Sequence, residues 1–131
     1  MYLIDSNLII YSSQSKFAYL RPVILHAEAT VSEISRLETL GYHKITPKDE
    51  RYFNSLFSLT RTLEIDLFTI NKAIDLRKTR KMSVADAIIA ATALLNDCEL
   101  YSHNVQDFSW IEGLRIVDPI LRNGTDQPQE S

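Results

Sequence analysis

The sequence lacks the features of several protein classes. It contains a single cysteine, Cys98, which has no partner for an internal disulfide. No apolar run approaches the roughly 20 residues that a membrane-spanning helix needs. No signal-peptide pattern follows Met1. These absences predict a cytoplasmic protein without a membrane role.

An excess of basic residues and internal repeats are also absent. The chain has 17 acidic residues against 14 lysines and arginines, for a net charge of −3. This charge alone argues against non-specific binding of nucleic acid. The 131 residues, of which 45% are hydrophobic, suffice for one core. We predict one domain over residues 1–122 and a mobile tail over 123–131, where no apolar residue is available for burial.

Short apolar strands alternate with helical segments. Strands are predicted at residues 2–4, 28–31, 63–68, 98–102 and 114–118. Helical segments are predicted at 6–22, where Pro22 ends the segment, 34–42, closed by Gly41, 47–61, 69–81 and 83–97. This alternation predicts an α/β fold, a three-layer α/β/α sandwich around a mostly parallel sheet of about five strands.

Acidic residues lie near the ends of these elements. Asp5 directly follows the first strand and Asp107 follows the fourth. Asp86 lies in the first turn of an apolar helix, and Glu38 lies close to the apolar face of its own helix. Ligands of parallel sheets collect outside the carboxyl ends of the strands, so these acids are expected to share one edge.

Each acid also has a purely structural interpretation. Asp5 can act as a helix N-cap, and Ser83 with Asp86 matches a capping box. Asn104 can form an Asx-turn that caps the short turn containing Asp107. Four carboxylates at one edge would nevertheless repel each other, and divalent cations would relieve that repulsion. Oxygen ligands without clustered histidine or cysteine favour Mg²⁺ or Mn²⁺ over zinc.

Four segments together resemble a known family. LIDSNLIIY, TVSEISRLETLGY, SVADAIIAATAL and SHNVQDF resemble, in order and spacing, the acidic motifs of PIN-domain ribonucleases, specifically the VapC-type toxins of prokaryotic toxin–antitoxin pairs. The resemblance extends from Met1 to about Pro119. It implies Mg²⁺- or Mn²⁺-dependent hydrolysis of RNA with one or two ions, giving a 5′-phosphate and a 3′-hydroxyl.

The resemblance also implies the site residues. The metal-binding and catalytic acids would be Asp5, Glu38, Asp86 and Asp107, with Ser6, Ser102 and Asn104 as supporting polar residues. Two departures from the family pattern concern His103, at a variable position, and Glu33, a second acid near Glu38. Glu38 is preferred because it precedes Leu-Gly-Tyr at the family's interval.

Two basic segments are candidates for RNA binding. Arg77, Lys78, Arg80 and Lys81 precede the Asp86 helix, and His43 with Lys44 follows a tyrosine. The first segment has an alternative interpretation as a solvated helix end whose cations complement the helix dipole.

The resemblance implies a VapB-type antitoxin whose C-terminal segment covers the acids. A homodimer is predicted because the helix over 47–61 has a broad apolar stripe, formed by Tyr52, Phe53, Leu56, Phe57 and Leu59. The alternatives are a housekeeping PIN nuclease of RNA processing or a catalytically degenerate PIN domain that acts as a binding module. A haloacid-dehalogenase-like phosphatase would need an aspartate where Asn7 stands, and a receiver domain would need an adjacent acidic pair.

Overall fold

A computed structural model describes residues 1–120. The predicted tail, and the last two residues of the predicted domain, lie outside the described residues. The strands are β1 (Tyr2–Ile4), β2 (Ala29–Ser32), β3 (Arg61–Leu63), β4 (Glu99–Tyr101) and β5 (Ile116–Val117). The α-helices are α1 (Ser6–Ser12), α2 (Arg21–Ile24), α3 (Glu33–Leu40), α4 (Pro47–Leu59), α5 (Leu67–Thr79), α6 (Val84–Leu95) and α7 (Val105–Phe108), and a 3₁₀ helix covers Ser15–Leu20.

The strands form one sheet in the order β3-β2-β1-β4-β5, and every neighbouring pair is parallel. Tyr2 pairs with Ala29 on one side and with Glu99 on the other, so β1 is central. The carboxyl ends of all strands therefore face one edge, as the sequence predicted.

Helices cover both faces of the sheet. Because alternate strand residues point to opposite faces, Leu3 packs into a core that includes α5 and α6, whereas Ile4 packs into one that includes α1 and α4. Helix α6 is buried from Ala87 to Ala93, as its uniform apolarity predicted. The three-layer α/β/α prediction is confirmed. None of the helices in the described range is long and apolar enough to span a membrane.

Several predicted boundaries are wrong, most clearly those at Pro22 and at the third strand. Pro22 does not end a helix but lies in the first turn of α2, where a missing N–H costs nothing. The strand predicted at 63–68 is displaced to β3, and Asp66 instead caps α5 by accepting from the Thr69 backbone N–H at 2.9 Å. The cap starts the helix at Leu67 despite the strand-like alternation of the sequence.

The predicted apolar stripe of α4 is mostly core within this chain. Phe53, Leu56 and Phe57 are buried, and the Tyr52 hydroxyl lies 2.7 Å from Ser12 Oγ. Only Leu59 is largely exposed, at 71%. The stripe therefore does not provide the reason for a homodimer that the sequence suggested.

Candidate active site

Asp5 is both a helix cap and part of the polar edge of the sheet. Its Oδ1 accepts from the Ser6 backbone N–H at 2.8 Å, which caps α1. Its Oδ2 accepts from the Ser102 hydroxyl, at the end of β4, at 2.7 Å. The two oxygens of this carboxylate, which is only 5% exposed, are thus held by two neighbouring strand ends. The structural and the functional interpretations of Asp5 are compatible.

Glu38 is joined to the same edge through serine hydroxyls. Ser6 Oγ donates to Glu38 Oε1 at 2.6 Å and lies 2.8 Å from Ser35 Oγ. Because a hydroxyl has one proton, donation from Ser6 to Glu38 requires Ser35 to donate to Ser6. Glu33, by contrast, accepts from Arg36 at 3.2 Å on the surface of α3. The structure places Glu38, and not Glu33, beside Ser6.

Asp86 and Asp107 lie at the first turns of two helices. Ser83 Oγ accepts from the Asp86 backbone N–H at 3.0 Å, so the predicted cap of α6 is present. Asp107 lies in α7, where the capping Asx-turn predicted for Asn104 is not formed. The Asn104 side chain makes no capping bond, and its backbone N–H donates to Ser102 Oγ at 3.0 Å. Ser102 thus fixes this loop while donating to Asp5.

The carboxylates form one electrostatic group. Burial first, and then the charges of Asp86 and Glu38, raise the pKa of Asp5 to about 6 against the opposing hydrogen bonds from Ser102 and Ser6. The pKa of Asp86 is also raised, first by burial and then by the charges of Asp107 and Glu38. Each of the four predicted acids therefore interacts with at least one other.

The oxygen atoms at this edge are of the kind that binds a hard divalent cation. They are carboxylate and hydroxyl oxygens, and the raised pKa values show that negative charge is disfavoured at this edge. Within residues 1–120 no group of three or more His, Cys, Asp or Glu side chains is arranged to hold a metal ion. Joint coordination of one ion would therefore require side-chain movement.

A cleft of about 610 Å³ adjoins two of the acids. It is lined by Asp86 and Asp107 and by three of the predicted RNA-binding residues, Arg77, Arg80 and Lys81. The fourth, Lys78, lines a neighbouring cleft against Val84. The structure therefore brings most of the basic segment to the acids, although the net charge of the whole chain is negative.

The other basic segment lies elsewhere. Lys44 lines a cleft of about 340 Å³ with Glu38, Tyr42 and Ile10. The His43 ring meets the Tyr42 ring edge-on, with the centroids 5.2 Å apart. Lys44 therefore borders the cleft of Glu38, and neither Lys44 nor His43 lines the cleft of Asp86 and Asp107.

Comparison with known proteins identifies the family. The family model of the PIN domain matches residues 2–112. The chain belongs to the PIN-domain family.

Solved structures similar to this PIN domain include proteins described as toxin–antitoxin complexes. A toxin–antitoxin complex from Klebsiella pneumoniae contains a chain that is 28% identical, with a TM-score of 0.71, over 91% of this chain and 98% of that one. FitAB, bound to an IR36 DNA fragment, is 25% identical, with a TM-score of 0.73, over 91% and 95%. VapBC from Salmonella typhimurium, bound to DNA, is 20% identical, with a TM-score of 0.74, over 89% and 96%. The resemblance to PIN domains and to a chain of a toxin–antitoxin complex is confirmed, and no curated protein matches.

Sequence reasoning missed several polar residues of this PIN domain. Ser35 supports Ser6, and Asp118, buried at the end of β5, lies 2.8 Å from His103 Nδ1 through its Oδ2. Asp118 is the last residue of the predicted strand over 114–118 and directly follows the observed β5, so its position at the carboxyl edge was a usable signal. The Asn7 side chain has buried oxygen and nitrogen atoms without a hydrogen-bond partner in the described residues.

Proposed function

We propose that this PIN domain is a Mg²⁺- or Mn²⁺-dependent endoribonuclease that acts as the toxin of a toxin–antitoxin pair. The observation that supports it best is the electrostatic group of four acids beside a basic cleft. Membership of the PIN family, and the toxin–antitoxin complexes among the similar structures, support a nuclease toxin role.

The acids divide into two pairs in this proposal. Asp5 and Asp86 would hold the principal ion, and Glu38 and Asp107 would complete its ligands or orient the attacking water. When bound, the divalent ion would supply charge neutralisation and Lewis acidity for phosphodiester hydrolysis. The hydroxyl of Ser102 fixes the direction of Asp5, and the Ser35–Ser6 pair fixes that of Glu38.

Water, and not a side chain, would be the nucleophile. The Ser6 and Ser102 hydroxyls donate to Glu38 and Asp5, and no histidine of residues 1–120 hydrogen-bonds to either. A serine–histidine mechanism therefore lacks its base. The water oxygen would attack phosphorus and the bond from phosphorus to the 3′-oxygen would break. Protonation of that oxygen would leave a 3′-hydroxyl and a 5′-phosphate.

The basic cleft would hold the RNA. Arg77, Arg80 and Lys81 provide positive charge beside Asp86 and Asp107, which suits the phosphates that flank a bond undergoing cleavage. Lys78, His43 and Lys44 would contact more distant parts of the substrate. Which RNA is cut depends on the shape of this surface and on the RNA fold.

An antitoxin would block the site. We propose a VapB-type partner whose C-terminal segment offers an arginine or lysine to the acids, through charge-assisted hydrogen bonds. This partner, a homodimer and a cytoplasmic location remain proposals for the chain.

The nuclease proposal is tested by cleavage of mixed RNA. Wild-type protein should cleave the RNA in the presence of Mg²⁺ or Mn²⁺, and excess EDTA should abolish cleavage. Asp86→Asn should abolish cleavage while the circular dichroism spectrum stays unchanged. Asp75→Asn, an exposed acid on α5, is the matched control and should cleave like wild type. Undiminished cleavage by Asp86→Asn, or cleavage in EDTA, would show that the metal site is wrongly assigned.

A further inference from the structure

The cleft beside the acids has two walls of different chemistry. The end of α5 and the residues after it contribute Arg77, Arg80 and Lys81, and the region of α7 contributes Gln106 and Trp110. Its volume of about 610 Å³ lies within the range of small-ligand sites and suffices for a nucleotide. The cleft therefore combines groups that suit phosphate with groups that suit a base.

Trp110 is fixed next to one of the acids. Its indole Nε1–H donates to the Asp107 carbonyl oxygen at 3.0 Å. The ring is half-buried against the core beneath α7, so part of it still borders the cleft. The position of this aromatic surface is thus tied to the same short helix that carries Asp107.

Arg80 lies over the Trp110 ring. Its guanidinium carbon is 5.5 Å from the ring centroid, which is a cation–π distance. Among residues 1–120 no carboxylate forms an ion pair with Arg80, although Asp86 and Asp107 line the same cleft. Its guanidinium therefore contacts the neutral indole and solvent, and its exposed side remains open to a ligand.

We propose that Trp110 and Arg80 form a stacking platform for one unpaired nucleobase next to the bond that is cut. Indole and guanidinium groups both stack on the flat faces of bases. Arg77 and Lys81 contact the adjoining phosphates, and Gln106 provides an amide for the edge of the base. A base inside a duplex has both faces covered, so the platform selects unpaired positions of an RNA. This assignment rests on the proposed nuclease function.

Binding at the platform has a direct optical signal, because Trp110 is the only tryptophan in the chain. Full-length protein in EDTA is titrated with oligoadenylate and with an abasic ribose-phosphate chain of equal length and charge. Oligoadenylate should quench the indole emission saturably and bind about tenfold more tightly than the abasic chain. Equal quenching and equal affinity for the two chains would overturn the platform, since electrostatic attraction is the same for both.

Variants separate stacking from a merely structural role. Trp110→Leu should raise KM for single-stranded RNA about tenfold with a smaller change in kcat. Trp110→Phe keeps an aromatic ring and should have a KM close to that of wild type. Arg80→Lys keeps the positive charge but removes the planar guanidinium group, and it should also raise KM. Phe68→Leu, an exposed aromatic residue on α5, is the control and should leave KM unchanged.

Binding of labelled chains to Trp110→Leu, followed by fluorescence anisotropy, completes the test. The variant should lose affinity for oligoadenylate and keep that for the abasic chain. A structural role would instead weaken both equally or lower the melting temperature, and would overturn the platform. RNA cleavage with an unchanged KM in Trp110→Leu would reject the platform and keep the nuclease. Absence of any RNA binding or cleavage by wild type would reject both.

Discussion

At the residue scale, Asp5 occupies a position where a charged carboxylate is costly. Burial, together with the charges of Asp86 and Glu38, raises its pKa from 3.8 to about 6. In metal-free protein the folded state therefore binds more protons than the unfolded state between about pH 4 and pH 6. Stability falls as pH rises through this interval and stays lower above it.

Asp5→Asn should remove this cost. An asparagine oxygen can still accept from the Ser6 N–H, and its amide can donate to Ser102 Oγ. In EDTA at pH 7.5 the variant should gain at most roughly 3 kcal/mol in the free energy of unfolding. The gain should disappear near pH 4, where the wild-type carboxyl is neutral. Urea unfolding at both pH values measures it, and a loss of stability independent of pH would contradict the assignment.

Glu38 and Glu33 provide a matched comparison on one helix. Glu38 accepts from Ser6, whereas Glu33 pairs with Arg36 on the surface. Glu38→Gln should lower RNA cleavage on the order of a hundredfold, because an acid that orients water or a metal ion is lost. Glu33→Gln should stay within about twofold of wild type. Initial rates under identical metal concentrations measure both, and the reverse ranking would place the site one and a half turns earlier.

At the element scale, local signals located most helices. Thr46 with Pro47 starts α4, and Ser83 starts α6, as their sequence patterns indicate. The position of β3 was not predictable in this way, because the segment from Leu63 to Phe68 alternates like a strand while Asp66 caps a helix. Only pairing with β2, a contact distant in sequence, places the strand at Arg61–Leu63.

Gly41 follows the end of α3, as predicted, but the reason for a glycine at this position differs from the one expected. The sequence predicted a glycine that closes α3, and the helix does end at Leu40. Its φ is −86°, so the left-handed region is not required. A side chain is excluded instead by close approach, because a Cβ here would collide with the Leu37 carbonyl oxygen.

Gly41→Ala should therefore destabilise the protein. The collision forces a shift at the end of the helix that carries Glu38, and we expect a loss of roughly 2 kcal/mol in the free energy of unfolding. Ser58→Ala, at an exposed position of α4, is the control and should change stability by less than about 0.5 kcal/mol. Thermal unfolding of both variants measures the difference. An unchanged melting temperature for Gly41→Ala would mean that the chain relaxes there without cost.

At the scale of the whole molecule, the sequence indicated which acids lie at the carboxyl edge of the sheet, but it did not indicate every residue that contacts them. Strand ends of a parallel sheet share one edge, so Asp5 and Asp107 were predictable from position alone. Ser35, Asp118 and the pairing of Arg80 with Trp110 depend on contacts between segments distant in sequence. No local pattern encodes such contacts. The sequence therefore predicted Ser6 and Ser102 but not the residues, Ser35 and Asp118, whose contacts appear only in the folded chain.

The acidic edge of the whole molecule favours a cationic partner. The proposed toxin would harm its host unless it is blocked, and an acidic edge in which Asp5 and Asp86 have raised pKa values favours a cation from a partner. Expression of the chain alone should slow bacterial growth. Asp5→Ala should relieve the effect, whereas Asp75→Ala, outside the site, should remain toxic.

Co-expression with a candidate VapB-type antitoxin should restore growth and yield a stable complex on size-exclusion chromatography. Changing the C-terminal arginines or lysines of the antitoxin to alanine should weaken both the restored growth and the complex. These side chains would supply the positive charge that pairs with the carboxylates. A wild-type chain that is abundant, folded and harmless would reject the toxin role. If that harmless chain still cleaves RNA with Mg²⁺, the protein is a housekeeping PIN nuclease. If it does not cleave RNA, the protein is a binding module.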